Sequence, residues 1–297
     1  MNMEKVLVAG ATGYLGRYLV QALKQNGYHV TALVRNKEKI REEGPYLAPK
    51  IDQCIDEVVV GEVTQPETLD HHLEGIDYVI STVGITRQKE GLSFRDVDYQ
   101  GNLNLLREAE KHQVKKFMYI HVFKGNEWDG PITEAKEDFV RELKASGIEY
   151  LIIRPTGYFS DITEILHMAE KGRCYLVGRG DKRLNPIHGE DLAAFCVEGL
   201  ALKDQELDVG GPTVFTHMEM AEIAFEAYDK KVSTIRLPAF LFQPVFPIVK
   251  WLDPHKYGVL RLFYHGMTKD VVAPKYGEKR LQDYYQEIVE SSMKVDD

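Results

Sequence analysis

Gly10-Ala11-Thr12-Gly13-Tyr14-Leu15-Gly16, close to the amino terminus, has the spacing that a nucleotide diphosphate asks of a polypeptide. The first glycine permits a tight turn, the second lets the backbone approach a pyrophosphate, and the third lets a helix pack close to a sheet. N–H groups at the helix start would then hold the phosphates at its positive end. Arg35 follows 19 positions after Gly16, in the run Ala32-Leu33-Val34-Arg35-Asn36-Lys37. An NAD-preferring site carries Asp or Glu there for the ribose 2′-hydroxyl. A guanidinium instead matches a phosphate through two parallel hydrogen bonds. NADP(H) is therefore expected over NAD(H), with Arg35 on the 2′-phosphate and Asn36 and Lys37 beside it.

Other chemistries lack their residues. HExxH, GxSxG and paired-carboxylate patterns are absent, so no metal is expected. Cys54, Cys174 and Cys196 are too scattered for a disulfide framework or a zinc knuckle and suit a reducing compartment. His71 and His72 are adjacent and do not face one site. His188 precedes Glu190 and Asp191, whose charges favour a helix start, which is a structural role. With 37 basic residues against 46 acidic ones, a net charge of −9 and no basic run, nucleic acid is not an expected partner.

These residues need elements to hold them. Apolar runs at 5–11, 29–34, 57–61, 78–83, 117–122 and 150–154 read as strands. They alternate with helical patterns at 14–26, 66–73, 94–112 and 133–145. Near-continuous apolar strands require a sheet covered on both faces. The expected fold is α/β, a Rossmann-type doubly wound parallel sheet with a smaller carboxy-terminal substrate-binding portion. Residues 1–155 would form the dinucleotide domain. After Pro155 the rhythm changes, and glycine- and proline-rich loops separate helices at 190–200, 218–228 and 278–289. Residues 156–297 are thus read as a portion packed on the first, not an independent domain.

The segment from Leu237 to Leu252 is the most apolar stretch of the second half. Its uncharged part is too short to span a membrane and contains Pro238, Pro244 and Pro247. The preferred reading is a buried wall over a substrate site. An exposed patch for a protein partner or a membrane surface is the alternative. The amino terminus enters a strand at once, with no cationic leader, so a cytoplasmic location is expected.

GATGYLG (10–16), ALVRN (32–36), VVVGEVTQPETL (58–69), VISTVG (79–84), VDYQGNLNLL (97–106), AKEDFVREL (135–143), IIRPTGYF (152–159) and NPIHGEDLAAF (185–195) together resemble the atypical, NmrA-like branch of the short-chain dehydrogenase/reductases. Within that branch the pattern is similar to that of divinyl-chlorophyllide 8-vinyl reductases. The resemblance implies that Gly61, Glu62 and Val63 flank the adenine, although Asp is commoner at Glu62. It places Ser81, Thr82, Val83 and Gly84 along the ribose, and Pro155, Thr156, Gly157 and Tyr158 at the nicotinamide amide.

Most relatives in that superfamily donate a proton from the tyrosine of a Tyr-x-x-x-Lys pattern and use a serine beside it. Here the lysine is Lys136, but Ile132 stands four residues before it, and His121 occupies the serine's place. Isoleucine has no proton to give, which counts against an ordinary alcohol dehydrogenase. Two expectations follow. One is NADPH-dependent hydride transfer to a small hydrophobic C=C or C=O acceptor, with Lys136, His121 or Tyr158 supplying the proton. His121 is the natural acid on its ordinary pKa near 6.5. The other is a non-catalytic NADP(H)-binding regulator or assembly factor of the NmrA-like type.

Overall fold

The computed structural model describes residues 3–84 and 91–296, with side chains as far as residue 293. The chain divides into two compact units, Met1–Arg154 with Leu192–Leu207, and Pro155–Asp191 with Asp208–Asp297.

In the first unit β1 (Lys5–Ala9), α1 (Tyr14–Gln25), β2 (His29–Val34), β3 (Glu57–Val60) and β4 (Tyr78–Ser81) follow in order. Then come α2 (Asn102–Lys111), β5 (Lys116–Ile120), α3 (Pro131–Ala145) and β6 (Glu149–Pro155). Among the described residues seven strands make the main sheet, in the order β3-β2-β1-β4-β5-β6-β9, where β9 is Gln205–Val209. The pairs from β3 through β6 are parallel. Strand order reverses beside β1, so β1 and β4 flank the switch point, and their registers bring Ala9 level with Leu33 and Ser81. Ligands of open α/β sheets bind outside the carboxyl ends of strands at such a point. This is the expected α/β Rossmann-type sheet. Leu7, Val79, Phe117 and Ile152 from the strands meet Leu105, Leu106, Phe139 and Leu143 from α2 and α3 in one core.

Two expected helices are altered. The one at 66–73 shrinks to a single tight turn, Pro66–Thr68, because His71 takes a left-handed backbone (φ 64°) that a helix cannot continue through. The one at 94–112 begins with a wider, π-type winding over Arg95–Gly101 before α2. The Asn102 amide donates to the carbonyls of Val97 (3.3 Å) and Asp98 (3.0 Å), so the side chain completes bonding that regular winding would supply.

The second unit contains α4 (Phe159–Glu170), β7 (Cys174–Val177) and β8 (Arg183–Leu184). It continues after α5 (Gly189–Gly199) and β9 with β10 (Phe215–Thr216), α6 (His217–Glu226) and β11 (Thr234–Leu237). It closes with α7 (Val245–Leu252), α8 (Pro254–Thr268) and α9 (Leu281–Asp296). β7 pairs with β11 in parallel, and β8 pairs with β10 antiparallel. Buried Asn185 organises this unit. Its amide donates to the carbonyls of Gly211 (3.0 Å) and Ala273 (3.1 Å) and accepts the Ala273 N–H (3.0 Å).

The wall expected at 237–252 is not buried. Phe240 is 69% exposed, Ile248 58%, Trp251 83% and Leu252 67%, whereas Phe246 is buried. Composition marked this stretch as apolar, but the helical turn of α7 sends only Phe246 inward.

Candidate functional site

The glycine loop has the geometry its spacing predicts. Gly10 sits at φ +83°, and a Cβ there would meet Thr82 Oγ1 at 2.4 Å. A Cβ on Gly16 would lie 2.1 Å from the Gly10 carbonyl oxygen, so α1 can approach β1 only without a side chain there. Gly13 precedes α1 as its cap residue and offers no side-chain cap to the first turn. Buried N-terminal N–H groups need acceptors, and a diphosphate would supply them, so the loop fits that group. Of its other members, Leu15 is buried, Tyr14 packs edge-on against Tyr18 at 5.3 Å, and the Thr12 carbonyl accepts from Arg17 Nε at 3.1 Å.

Arg17, which sequence reasoning overlooked, underpins this loop. Its guanidinium, 2% exposed, also donates to the carbonyls of Lys39 (2.7 Å), Glu42 (3.0 Å) and Pro49 (3.2 Å). It thereby ties the glycine loop to the chain that follows β2. Its signal in the sequence is a cation one residue past the last glycine, beside the inward-facing positions of α1.

At the ends of β2 and β3, Arg35 Nη1 stands 3.4 Å from Glu62 Oε2, with the Arg35 side chain 57% exposed. Such an exposed pair contributes little, and the guanidinium can turn to a better anion at small cost. Asn36 accepts the Glu38 N–H at 2.8 Å and so caps the short turn in which Lys37 stands. Gly61 has no room for a side chain, since its Cβ would meet the Thr68 carbonyl at 2.9 Å. Val63 is part of the core.

Beyond β4 the expected ribose-side residues divide. Ser81 is fully buried and donates to Asn102 Oδ1 at 2.5 Å, so its hydroxyl is spent inside the unit. Thr82 Oγ1 donates back to the Ala9 carbonyl at 3.1 Å, and Val83 packs on the core. Gly84 is the close-approach position. A Cβ there would meet Asp98 Oδ1 at 2.6 Å and Lys136 Nζ at 3.0 Å.

Lys136, on the inner side of α3, is thus brought to the end of β4. Its ammonium contacts Asp98 Oδ1 at 3.1 Å and donates to the Tyr119 hydroxyl at 3.2 Å. Burial presses the lysine pKa down, but Tyr119 and Asp98 outweigh it, and the net shift is upward. The Tyr119 phenol is pushed up to about 12, chiefly by burial. Both residues are therefore protonated at neutral pH, and Lys136 is a fixed cation. Asp98 and Tyr119 escaped the sequence reading, because a lone acid in VDYQGN and an aromatic in a buried strand look like solvated and core positions.

His121 has different surroundings from those its ordinary pKa assumes. Its side chain is fully buried, and Nδ1 accepts the Val122 N–H at 2.6 Å. Nε2 lies 3.0 Å from Glu137 Oε1 without the alignment of a hydrogen bond. Burial lowers the histidine pKa and outweighs the pull of Glu137, so the ring is neutral. Glu137 also stands 3.4 Å from Arg154 Nη2, and Glu206 joins Arg154 to Lys144 across a groove that Asn126, Val140 and Arg141 also line. Ile132 is buried at 3% exposure, four residues before the lysine.

Pro155 ends β6 and, with Thr156, Gly157 and Tyr158, lies in the second unit. Thr156 donates through Oγ1 to the Asn185 carbonyl at 2.6 Å, and its N–H goes to Val209. The Gly157 carbonyl accepts the Ile187 N–H, and Tyr158, half-buried, caps α4 with its N–H on Asp161 at 3.2 Å. His188 stacks edge-on between Phe159 and Tyr284 and is 9% exposed. Its Nδ1 accepts the Glu190 N–H at 3.2 Å, consistent with the structural role read from sequence. The thiols of Cys174 and Cys196 are buried, and Cys54 is partly so; all are free. Among the described residues no cluster could hold a metal, and no helix is long and apolar enough to cross a membrane.

With this geometry established, comparison with known proteins identifies the lineage. A family profile described as NAD(P)H-binding matches residues 10–203, from the glycine loop into the last part of the first unit. The chain belongs to the NAD(P)H-binding family. Among relatives of the NAD(P)H-binding chain, the chloroplastic divinyl chlorophyllide a 8-vinyl-reductase of Zea mays is 27% identical over 97% of this chain and 80% of that protein. Photosystem II assembly factor Ycf39 of Synechocystis sp. is 31% identical over 53% of this chain and 46% of its own length. An NADPH-dependent quinone oxidoreductase of Escherichia coli, solved with NADPH, superposes with a TM-score of 0.74 at 18% identity, over 96% of this chain and 99% of that one. The triphenylmethane reductase of Citrobacter sp. superposes equally well, at 0.74 and 19% identity over 96% and 99%. The two structural likenesses agree with the Rossmann-type fold.

Proposed function

We propose that the protein is an NADP(H)-dependent reductase that passes hydride to a small hydrophobic C=C or C=O acceptor. The carrying observation is the Lys136 ammonium, buried against Asp98 beneath Gly84 at the switch-point end of the sheet. A buried ion pair costs desolvation that its attraction only partly repays. Its position at the end of β4, the strand paired with the one that leads into the glycine loop, supports a ligand-binding task rather than a stabilising one.

NADPH would supply the hydride. Residues 10–16 would hold its diphosphate, Arg35 with Asn36 and Lys37 the 2′-phosphate, and Gly61, Glu62 and Val63 the adenine. The backbone of Ser81, Thr82, Val83 and Gly84, with Lys136, would take the ribose hydroxyls. Pro155, Thr156, Gly157 and Tyr158 would receive the nicotinamide amide. The enclosed, neutral state of His121 counts against it as the proton donor, and Lys136 would act as a fixed positive charge. The preference for NADP(H) rests on Arg35.

A second reading, an NADP(H)-binding assembly factor without turnover, is supported by buried Ile132 in place of a proton-donating tyrosine and by the relative that bears such a name. The experiment mixes protein and NADPH with quinones, triphenylmethane dyes and a divinyl chlorophyllide, acceptor classes taken from the relatives' names. It follows loss of the reduced nicotinamide absorbance. Acceptor-dependent oxidation supports the reductase. Tight NADPH binding with no oxidation on any acceptor favours the second reading.

A further inference from the structure

The cation assigned to the 2′-phosphate has an acid beside it. In the parallel pairing of β2 with β3, Val34 lies level with Val60, and the Gly61 N–H continues the ladder onto the Val34 carbonyl at 3.1 Å. Arg35 and Glu62 therefore leave neighbouring strands side by side, which is how Arg35 Nη1 comes to stand 3.4 Å from Glu62 Oε2.

The two side chains are held unequally. Arg35 is 57% exposed, against 22% for Glu62. Thr68 Oγ1 accepts the Glu62 N–H at 2.8 Å, which fastens the backbone of the acid to the turn Pro66–Thr68. Glu62 Oε1 in turn accepts the Thr64 N–H at 3.4 Å, so the carboxylate curls back over the chain that follows β3. Gly61, just before it, is packed so closely on the same turn that a Cβ would meet the Thr68 carbonyl. The guanidinium is the partner that can swing, and the carboxylate is the one that stays.

We propose that Glu62 sets the choice between NADPH and NADH by opposing the 2′-phosphate from a fixed position beside Arg35. This rests on Arg35 as the ligand of that phosphate. A phosphate monoester carries about −1.5 to −2 charges at pH 7. To bind, it must draw the guanidinium away from Glu62 and then remain near the carboxylate. The first step costs little, because the ion pair is exposed. The second is a lasting cost, since repulsion between neighbouring like charges persists even in water. NADH meets neither cost. It carries a hydroxyl at that position, and a carboxylate is the group that accepts a ribose 2′-hydroxyl. Glu62 thus holds the preference for NADP(H) below what Arg35 alone would give, and keeps NADH within reach of the site.

The test measures dissociation constants of NADPH and NADH by calorimetry, for the full chain and for its Glu62→Gln and Glu62→Asp variants. The quantity read is the dissociation constant of NADH divided by that of NADPH. Glu62→Gln removes the charge at nearly constant size and should raise this ratio about three- to tenfold. Glu62→Asp keeps the charge but draws it back by one methylene, and should raise the ratio less. A ratio unmoved by Glu62→Gln overturns the proposal, including the case in which both affinities change equally, as loss of an adenine contact would make them. A larger rise with Glu62→Asp than with Glu62→Gln traces the effect to side-chain length instead of charge and overturns it as well. Arg35→Ser, measured in parallel, separates the two levels of the argument. If it lowers the ratio while Glu62→Gln leaves it unmoved, Arg35 takes the phosphate and Glu62 has no part in the choice. If Arg35→Ser leaves the ratio unmoved, the phosphate does not lie on Arg35, and both readings fall.

Discussion

The ammonium of Lys136 lies 3.1 Å from Asp98 Oδ1, and the side chain of Asp98 is wholly enclosed. The wide winding of Arg95–Gly101 and the inner side of α3 converge to make this pair. Removing one partner strands a charge. Asp98→Ala should cost about 3–5 kcal/mol in urea unfolding. Adding Lys136→Met should recover part of that loss, because the two sites share one interaction. Additive losses in the double-mutant cycle would contradict the coupling. Lys136→Met alone should also weaken NADPH binding if the ammonium faces the ribose.

Gly16→Ala tests the glycine loop. The new methyl would stand 2.1 Å from the Gly10 carbonyl oxygen, so α1 must move away from β1. Overpacking of this kind costs about 1–3 kcal/mol. The melting temperature should fall, and NADPH affinity measured by calorimetry should drop more than tenfold (~10, from the same displacement of the helix start). Retained affinity would separate the loop from phosphate binding.

Arg35→Ser addresses cofactor choice. A charged hydrogen bond is worth about 1.5–3 kcal/mol, so NADPH should bind roughly 10- to 100-fold more weakly. NADH affinity should barely change. Parallel losses for both dinucleotides would place Arg35 elsewhere than on a 2′-phosphate.

His188 gives the fold a pH dependence. Its pKa is lowered to about 4, chiefly by burial and then by the neighbouring Lys279, against an opposing effect of Glu190. The unfolded chain takes up a proton near pH 6.5, while the folded ring resists until about 4. The neutral ring therefore contributes stability above pH 6.5, and this is lost as the pH falls towards 4, by at most about 3 kcal/mol. His188→Phe, which keeps the packing on Phe159 and Tyr284, should flatten that part of a pH series of denaturant midpoints. An unchanged slope would exclude His188 as its source.

The strands from β1 to β6 were legible because each is apolar along its length, and the glycine loop because only glycines satisfy its close approaches. The pairing of Lys136 with Asp98 was not, since it depends on a winding that Asn102 sustains by bonding to Val97 and Asp98. His121 was legible as a position but not as an acid, because burial decides its protonation and the sequence reports only its type. Residues 237–252 misled for a related reason. Hydrophobicity identifies the side chains that avoid water; it does not say whether the same chain supplies the cover.

β9 has one more consequence, for synthesis of the protein. The sheet's neighbour to β6 is made of residues Gln205–Val209, some fifty positions further along the chain. Glu206 on it bonds Lys144 (2.5 Å) and Arg154, and nearby Lys203 bonds Glu149 at 2.5 Å. A nascent chain that has emerged only as far as Pro155 presents β6 with its backbone edge unpaired. Such edges template aggregation. The ribosome must deliver residues 155–191, which belong to the second unit, before the first can close.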